Sequence, residues 1–339
     1  MQSEAYQLDF TMRKYLNQFI NQLKEALVIG DNTAFNNPNK QIDNVLICGL
    51  GGSGIAGVMI SKLFASHINV PIIMNNDYDI PAFVGKNTLV IVSSYSGNTE
   101  ETLSSMEKAI EKGAEIACIT SGGQVKEIAE ANNWNVIVLP GGNPPRACFA
   151  YSIVSQHFIF ENYNLIDKTW RKDVASAINL LESQQESILT IADEVATKLI
   201  DKVTVVYSSD EYQGVAVRFC QQIAENSKML CWNNKFPEMN HNEIVGWCKE
   251  NKQLAVVFLE FDDDFHRIQK RMDLTKDVVM EHASSVSSIK AVGESKLEKV
   301  LYQVYLTDWV TVLNAEKRDV DSIEIEAILG LKRKLEAYS

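Results

Sequence analysis

Ser93, Ser94, Ser96 and Thr99 crowd one short turn of this chain, and their chemistry is that of anion binding. They lie after the apolar run Leu89–Val92 and before Leu103, Met106 and Ile110, which have helical spacing. The order reads as strand, hydroxyl-rich turn, helix. N–H groups at a helix N-terminus together with Ser and Thr hydroxyls form a cradle for a phosphate dianion. Gly97 lets the backbone approach closely. No Lys lies inside the turn, so neutral donors and the helix dipole would hold the anion. A mere helix cap would need one hydroxyl. A second candidate turn, Gly49-Leu50-Gly51-Gly52-Ser53-Gly54, fits G-x-G-x-x-G between an apolar strand and a helix. That is the dinucleotide fingerprint in its context, and Asp77 follows the next strand as a possible ribose acid, so a nicotinamide enzyme is one alternative. Asp77 stands further along than that acid usually does. A dinucleotide also needs only one such turn, whereas a phosphate monoester at the ends of adjacent strands can use both, Gly52 and Ser53 included.

The elements around these turns alternate. Strands are expected at Val45–Cys48, Pro71–Met74, Leu89–Val92, Glu115–Ile119 and Val136–Leu139. Helices are expected at Ile55–Ala65, from the hydroxyl turn to Gly113, and at Val125–Ala131. Repeated β-α units of this kind predict a doubly wound parallel sheet. An amphipathic helix, Leu8–Leu27, precedes them, and a loop is expected from Asp31 to Gln41. After Pro144-Pro145-Arg146 come helices at Ala150–Tyr163 and Val174–Ile200, then a shorter α/β copy. Its strands are Val203–Tyr207 and Leu254–Leu259, with a helix at Val215–Met229, a mixed stretch at Val278–Val292, and helices at Leu297–Lys317 and Ser322–Tyr338. The expected units are residues 1–163 and 164–339, with a cleft between them for a ligand.

Composition narrows the class. A length of 339 residues accommodates two domains. The net charge of −12 argues against nucleic acid or an anionic membrane as partner. No apolar run approaches a membrane span, and the N-terminus lacks the basic and apolar regions of a signal peptide, so a soluble cytoplasmic protein is expected. Cys48, Cys118, Cys148, Cys220, Cys231 and Cys248 form no C-x-x-C pair, and no two of the five His have metal-ligand spacing, so no metal is expected.

Four motifs in this order resemble the phosphosugar site of the sugar isomerase (SIS) fold, in its bifunctional phosphoglucose/phosphomannose isomerase branch. They are Gly49–Gly54, Ser94–Thr102, Pro144-Pro145-Arg146-Ala147 and Glu238-Met239-Asn240-His241-Asn242-Glu243. The resemblance covers most of the chain as two SIS domains, with C-terminal helices packing on the site. It implies interconversion of glucose 6-phosphate and fructose 6-phosphate, and of mannose 6-phosphate, through a cis-enediol, without metal or cofactor. It implies a homodimer whose site is completed across the interface. By position Glu225 resembles the proton-transfer base, His241 the ring-opening histidine given by the partner subunit, and Arg146 the arginine that steadies the enediol. Lys332, or its neighbour Lys334, resembles a lysine near the ring oxygen. A sugar-phosphate sensor would keep Ser94, Ser96 and Thr99 but need neither Glu225 nor His241.

The residues themselves permit these roles. Glu225 lies beside the apolar stripe Val215, Phe219 and Ile223, so it can project into a cleft, where a carboxylate gains basicity by desolvation. Asn240 and Glu243 have the spacing of a capping box, which predicts His241 in the first turn of a helix. Two prolines before Arg146 give a rigid approach that could hold a guanidinium against oxygens gaining negative charge. Cations near a helix C-terminus are expected whatever their role, so Lys332 carries little by itself.

Overall fold

Two parallel sheets organise the molecule, seen in a computed structural model that describes residues 12–38 and 40–338. The first has strands β1 (Asn44–Cys48), β2 (Ile72–Asn75), β3 (Thr88–Ser93), β4 (Glu115–Thr120) and β5 (Asn135–Val138), in the order β2-β1-β3-β4-β5. Helices α3 (Gly51–Leu63), α4 (Glu100–Glu111) and α5 (Gly123–Ala131) follow β1, β3 and β4. The order reverses direction between β1 and β3, and ligands bind in such sheets beyond the strand carboxyl ends at that switch. Both sequence-predicted anion turns stand there. Strand β3 is buried along its whole length, as a central parallel strand covered on both faces must be.

The second sheet has β6 (Val203–Ser209), β7 (Cys231–Phe236), β8 (Asn251–Glu260) and β9 (Ala283–Lys290), all parallel, in the order β7-β6-β8-β9. Helix α8 (Gln213–Asn226) follows β6, and α9 (His266–Met280) follows β8. Strand β7 was not expected, and β9 falls in the stretch read only as mixed. Both are edge strands: Trp232-Asn233-Asn234-Lys235 and Ser284-Ser285-Val286-Ser287-Ser288 carry no apolar run because water replaces one neighbour.

Helix α10 (Lys296–Lys317) is the common centre, buried from Leu297 to Ala315. It packs with the long helix α7 (Trp170–Lys198) and with α8. The main core gathers Trp309, Tyr302 and Tyr305 of α10 with Phe149, Phe158 and Phe160 of α6 (Phe149–Asn162). Each fully buried Leu, Ile or Phe side chain stabilises such a core by about 1.5–3 kcal/mol. Two amides of α10 donate to backbone carbonyls, Gln303 to Ile289 (2.8 Å) and Asn314 to Ala196 (3.0 Å).

The leading helix differs from expectation. It divides into α1 (Arg13–Leu16) and α2 (Phe19–Asn32), because the Gln18 N–H bonds Tyr15, three residues back, and tightens the chain there. Leu8 lies outside the described residues. Helix α2 runs to Asn32, past Asp31 where a loop was expected to begin, and the loop follows Thr33. The helix after β1 also starts earlier than its apolar pattern, at Gly51, so the glycine turn is its first turn. Among the described residues no helix is long and apolar enough to cross a membrane.

Candidate active site

Each anion turn is the start of a helix whose first N–H groups no side chain caps. Neither Leu50 before α3 nor Thr99 before α4 makes a side-chain cap bond, so orphan donors of both helices face the switch point. Side chains lock the two turns together. The Tyr95 N–H donates to Ser53 Oγ (3.0 Å), and Ser93 Oγ donates to the Ser53 carbonyl (3.0 Å). Within the hydroxyl turn Ser94 Oγ accepts from the Gly97 N–H (3.2 Å) and lies 3.1 Å from Thr99 Oγ1. Ser96 is exposed, with Oγ accepting from the Asn98 N–H (3.3 Å). Gly97 has φ +71°, and a Cβ there would lie 1.8 Å from the Gly122 carbonyl oxygen, so only glycine fits. Tyr95, which the sequence reading passed over, ties the turn to the loop after β5: its hydroxyl donates to the Pro140 carbonyl (2.6 Å) and accepts from the Asn143 N–H (3.1 Å).

That loop delivers Arg146. Residues Pro145–Ala147 form a short 3₁₀ turn laid against the glycine turn, and a Cβ on Gly52 would stand 2.7 Å from the Pro145 oxygen and 2.9 Å from Arg146 Cα. The Arg146 side chain is only 4% exposed. Its Nε donates to Asn226 Oδ1 (2.9 Å), and Nη2 donates to the carbonyls of Ser322 (2.7 Å) and Ile323 (3.2 Å). Nη1 is left facing Glu225 Oε2 at 3.4 Å. Burial pulls this guanidinium below its ordinary pKa, and the charge of Glu225 pulls it back up. Glu225 is 28% exposed, a carboxylate at a wall rather than in a core.

Helix α8 brings Glu225 here by running alongside α3. Gly214, near the start of α8, would clash through a Cβ with Met59 of α3 at 2.7 Å, so the helices touch closely at that end. At the other end the last turn of α8 meets Arg146, beside Gly52 in the first turn of α3. Arg218, on the same helix, is buried behind Arg146. It donates to the Arg146 carbonyl (3.0 Å) and pairs bidentately with Asp308 of α10 at 3.1 and 2.6 Å. Gln222 donates to the same carbonyl (3.2 Å), and Asn226 donates to Thr311 Oγ1 (2.9 Å). Asn226, Gln222 and the Arg218–Asp308 pair escaped sequence reasoning. Their only trace was a helix rich in amides and one Arg beside Glu225.

The structure gathers Gly52, Ser53, Ser94, Ser96, Thr99, Arg146 and Glu225 around the carboxyl ends of β1 and β3. It does not bring His241 there, and among the described residues Lys332 makes no hydrogen bond or ion pair with any of them, although the segment before its helix bonds Arg146 through the Ser322 and Ile323 carbonyls. The start of β7 adjoins the end of α8, whereas His241 follows the far end of that six-residue strand, and such a strand spans about 20 Å. His241 is exposed and closes a 3₁₀ turn, Glu238–His241, rather than opening a helix. The expected capping box is absent because both its members are drawn elsewhere. Asn240 donates to Thr275 Oγ1 (2.9 Å). The Glu243 carboxylate accepts from Tyr207 OH (2.6 Å), Trp232 Nε1 (3.0 Å) and Asn234 Nδ2 (2.6 Å), which pins the loop to the sheet. Lys332 and Lys334 stand on α11 (Glu326–Glu336), a helix with no buried residue, and Lys332 has no ion pair among the described residues.

With this geometry in hand the chain can be set beside known proteins. A model of the SIS domain matches residues 40–163, and one described as the bacterial phospho-glucose isomerase C-terminal SIS domain matches residues 189–335. Curated bifunctional phosphoglucose/phosphomannose isomerases from Caldicellulosiruptor bescii and Aquifex aeolicus are 37% and 35% identical to it, over 93% and 96% of this chain and 96% and 98% of theirs. The chain belongs to this family. Membership of the bifunctional phosphoglucose/phosphomannose isomerases bears out the resemblance read from the four motifs. A D-glucosamine-6-phosphate 4-epimerase from Sulfolobus acidocaldarius is 31% identical over 60% of the chain. Among solved structures, the C-terminal domain of glucosamine-fructose-6-phosphate aminotransferase from Francisella tularensis shares the fold, with TM-score 0.75 at 13% identity, covering 91% of this chain and 96% of its own. Tagatose-6-phosphate ketose/aldose isomerase from Escherichia coli does so with TM-score 0.63 at 15% identity, covering 94% and 90%.

Proposed function

We propose that this family member interconverts glucose 6-phosphate and fructose 6-phosphate, and converts mannose 6-phosphate to the same ketose, by proton transfer between C2 and C1 through a cis-enediol. The observation that carries the reading is the Arg146–Glu225 pair at the rim of two uncapped helix starts. The substrate phosphate sits on Gly52, Ser53, Ser94, Ser96 and Thr99. Glu225 takes the proton from one carbon and returns it to its neighbour, which one carboxylate can do because the carbons are adjacent. The two N–H groups on Arg146 Nη1 face the oxygens on which charge develops. Two uncapped helix starts on adjacent strands favour a monoester over a dinucleotide, which needs only one such turn.

His241 opens the sugar ring of the partner's substrate, and the protein acts as a homodimer. Its place beyond the far end of β7, exposed and remote from its own Glu225, supports donation to a neighbour. Leu230, Trp232 and Val245, large exposed apolar side chains around β7, support an interface on that face. Lys332 reaches the ring oxygen once α11, with Leu331 and Leu335 exposed, has docked. We take 1–163 and 164–339 as the two units, each holding one sheet.

The test is a coupled assay of fructose 6-phosphate formation from each aldose, with chelator present, for wild type and Glu225→Gln. Turnover of both sugars, reduced about 10³-fold in the variant, is the expected outcome. Turnover of glucose 6-phosphate alone removes the second activity. Chelator sensitivity, or epimerisation at C4 instead, would replace the proposed mechanism.

A further inference from the structure

Of the cysteines, Cys48, Cys118 and Cys148 are buried, and burial pushes their thiols up to about 12, about 12 and about 11. They are inert packing groups. Cys220 and Cys231 differ. Both are half-buried, and they face each other across the junction of α8 and β7. The Cys231 thiol donates to the Cys220 carbonyl (3.2 Å), which brings it beside the Cys220 side chain, with which it interacts. Side chains alternate along a strand. Cys231 and Asn233 therefore face α8, as the contact of Asn233 with the Cys220 thiol requires, while Trp232 points to the other side.

The short segment between these cysteines holds Glu225, Asn226 and Lys228. Glu225 stands five residues after Cys220 on the same helix, about 7.5 Å along its axis. Lys228 Nζ donates to the Glu225 carbonyl (2.6 Å) and the Glu324 carbonyl (2.5 Å), which ties the segment down. A change at the cysteine pair thus acts on the turn that aims the carboxylate at Arg146.

We propose that Cys220 and Cys231 are a reversible oxidation site, joined as a disulfide by a peroxide, and that this bond slows the isomerase by displacing Glu225. The reaction has two steps. The Cys231 thiolate attacks one peroxide oxygen; an S–O bond forms, the O–O bond breaks, and hydroxide leaves, giving a sulfenic acid. The Cys220 sulfur then attacks the sulfenic sulfur; the S–S bond forms, and the hydroxyl leaves with the Cys220 proton as water. Two thiols are oxidised and one peroxide is reduced. The interaction with Cys220 lowers the pKa of the Cys231 thiol, which makes Cys231 the attacking partner in this scheme. Bond formation draws the sulfurs to about 2 Å, and the last turn of α8 moves with them. A displacement of about 1 Å in a reacting group lowers a rate by as much as 10²-fold.

The rate effect rests on Glu225 as the base; the bond itself does not, so two readouts separate them. Reduced full-length protein is treated with hydrogen peroxide and followed by non-reducing peptide mass mapping and by isomerase rate. The expected result is a Cys220–Cys231 cross-link, a fall in kcat of about tenfold, and recovery with dithiothreitol. Cys231→Ser should give no cross-link and a peroxide-insensitive rate, and Cys220→Ser should stop at the sulfenic acid on Cys231. Oxidation confined to the exposed Cys248, or no cross-link in the wild type, would overturn the site. A cross-link with an unchanged rate would overturn the control of Glu225, and absence of isomerase activity before oxidation would instead refute the reading of the active site.

Discussion

The carboxyl edges of the two sheets have the same parallel architecture and opposite chemistry. At the first, the chain leaves β1 and β3 through Gly51-Gly52-Ser53 and Ser94–Thr99, with helix N–H groups left open. At the second, it leaves β6 through Asp210 and Glu211 and β8 through Asp262, Asp263 and Asp264. Lysines neutralise most of these carboxylates: Lys62 and Lys235 bind Asp210 at 2.6 and 2.5 Å, and Lys299 binds Asp262 at 2.6 Å and Asp263 at 3.3 Å. Here the carboxylates engage the lysines, which makes this edge a poor phosphate cradle. The second sheet serves the site from its opposite end, where the last turn of α8 presents Glu225. On the proposed reading, one architecture supplies an anion cradle from its strand ends in one copy and a base from its helix end in the other.

This division of labour can be broken most forcefully at Arg146, where the halves meet. Arg146→Lys leaves one ammonium to replace contacts with Asn226, Ser322 and Ile323, and kcat should fall about 10²-fold with a smaller change in KM. A pure rise in KM would make Arg146 part of the phosphate cradle. A smaller effect, confined to binding, is expected of Ser94→Ala. It removes a hydroxyl bonded to Thr99 and to the Gly97 N–H, and KM should rise about tenfold while kcat holds. Steady-state kinetics on both aldoses reads these two changes.

Asp264 sharpens the comparison from the acidic edge. It is buried, its Oδ2 lacks a hydrogen-bond partner, and burial with the neighbouring charges of Asp263 and Glu211 raises its pKa from 3.8 to about 6. The folded state holds this proton more tightly than the unfolded chain. Its contribution to stability is therefore fully present below about pH 4, declines as pH rises towards 6, and remains a penalty above it. Asp264→Asn should accordingly stabilise the protein at pH 7.5 by about 1–3 kcal/mol and change little at pH 4. Denaturant titrations at both pH values measure it, and equal shifts at both would assign the gain to packing.

What could be read in advance follows the same line. The two strand-to-helix turns were legible because they are built from backbone conformation, and backbone conformation leaves local marks: glycines at Gly51 and Gly97, hydroxyls at Ser94 and Thr99, apolar runs before them. Strands β7 and β9 were not, because edge strands such as Trp232–Lys235 bury one side at most. Glu225 and Arg146 were singled out through the family resemblance rather than through pattern, since a half-exposed Glu on a helix resembles any surface Glu until Arg146 arrives from another element. The surroundings of His241 were misread for a related reason. Asn240 and Glu243 have capping-box spacing, but Thr275 and the group of Tyr207, Trp232 and Asn234 compete for them through tertiary contacts that spacing does not encode.

The most direct test of the composite site asks whether His241 serves the Glu225 of another subunit. Glu225→Gln and His241→Ala proteins, each nearly inactive alone, are unfolded, mixed in equal amounts and refolded together. Random pairing then gives mixed dimers in which one of two sites has both groups intact, and the mixture should recover about a quarter of the wild-type rate refolded in parallel. Activity no higher than that of the separate variants, with mixed dimers demonstrated by mass, would place both groups in one subunit and contradict the account.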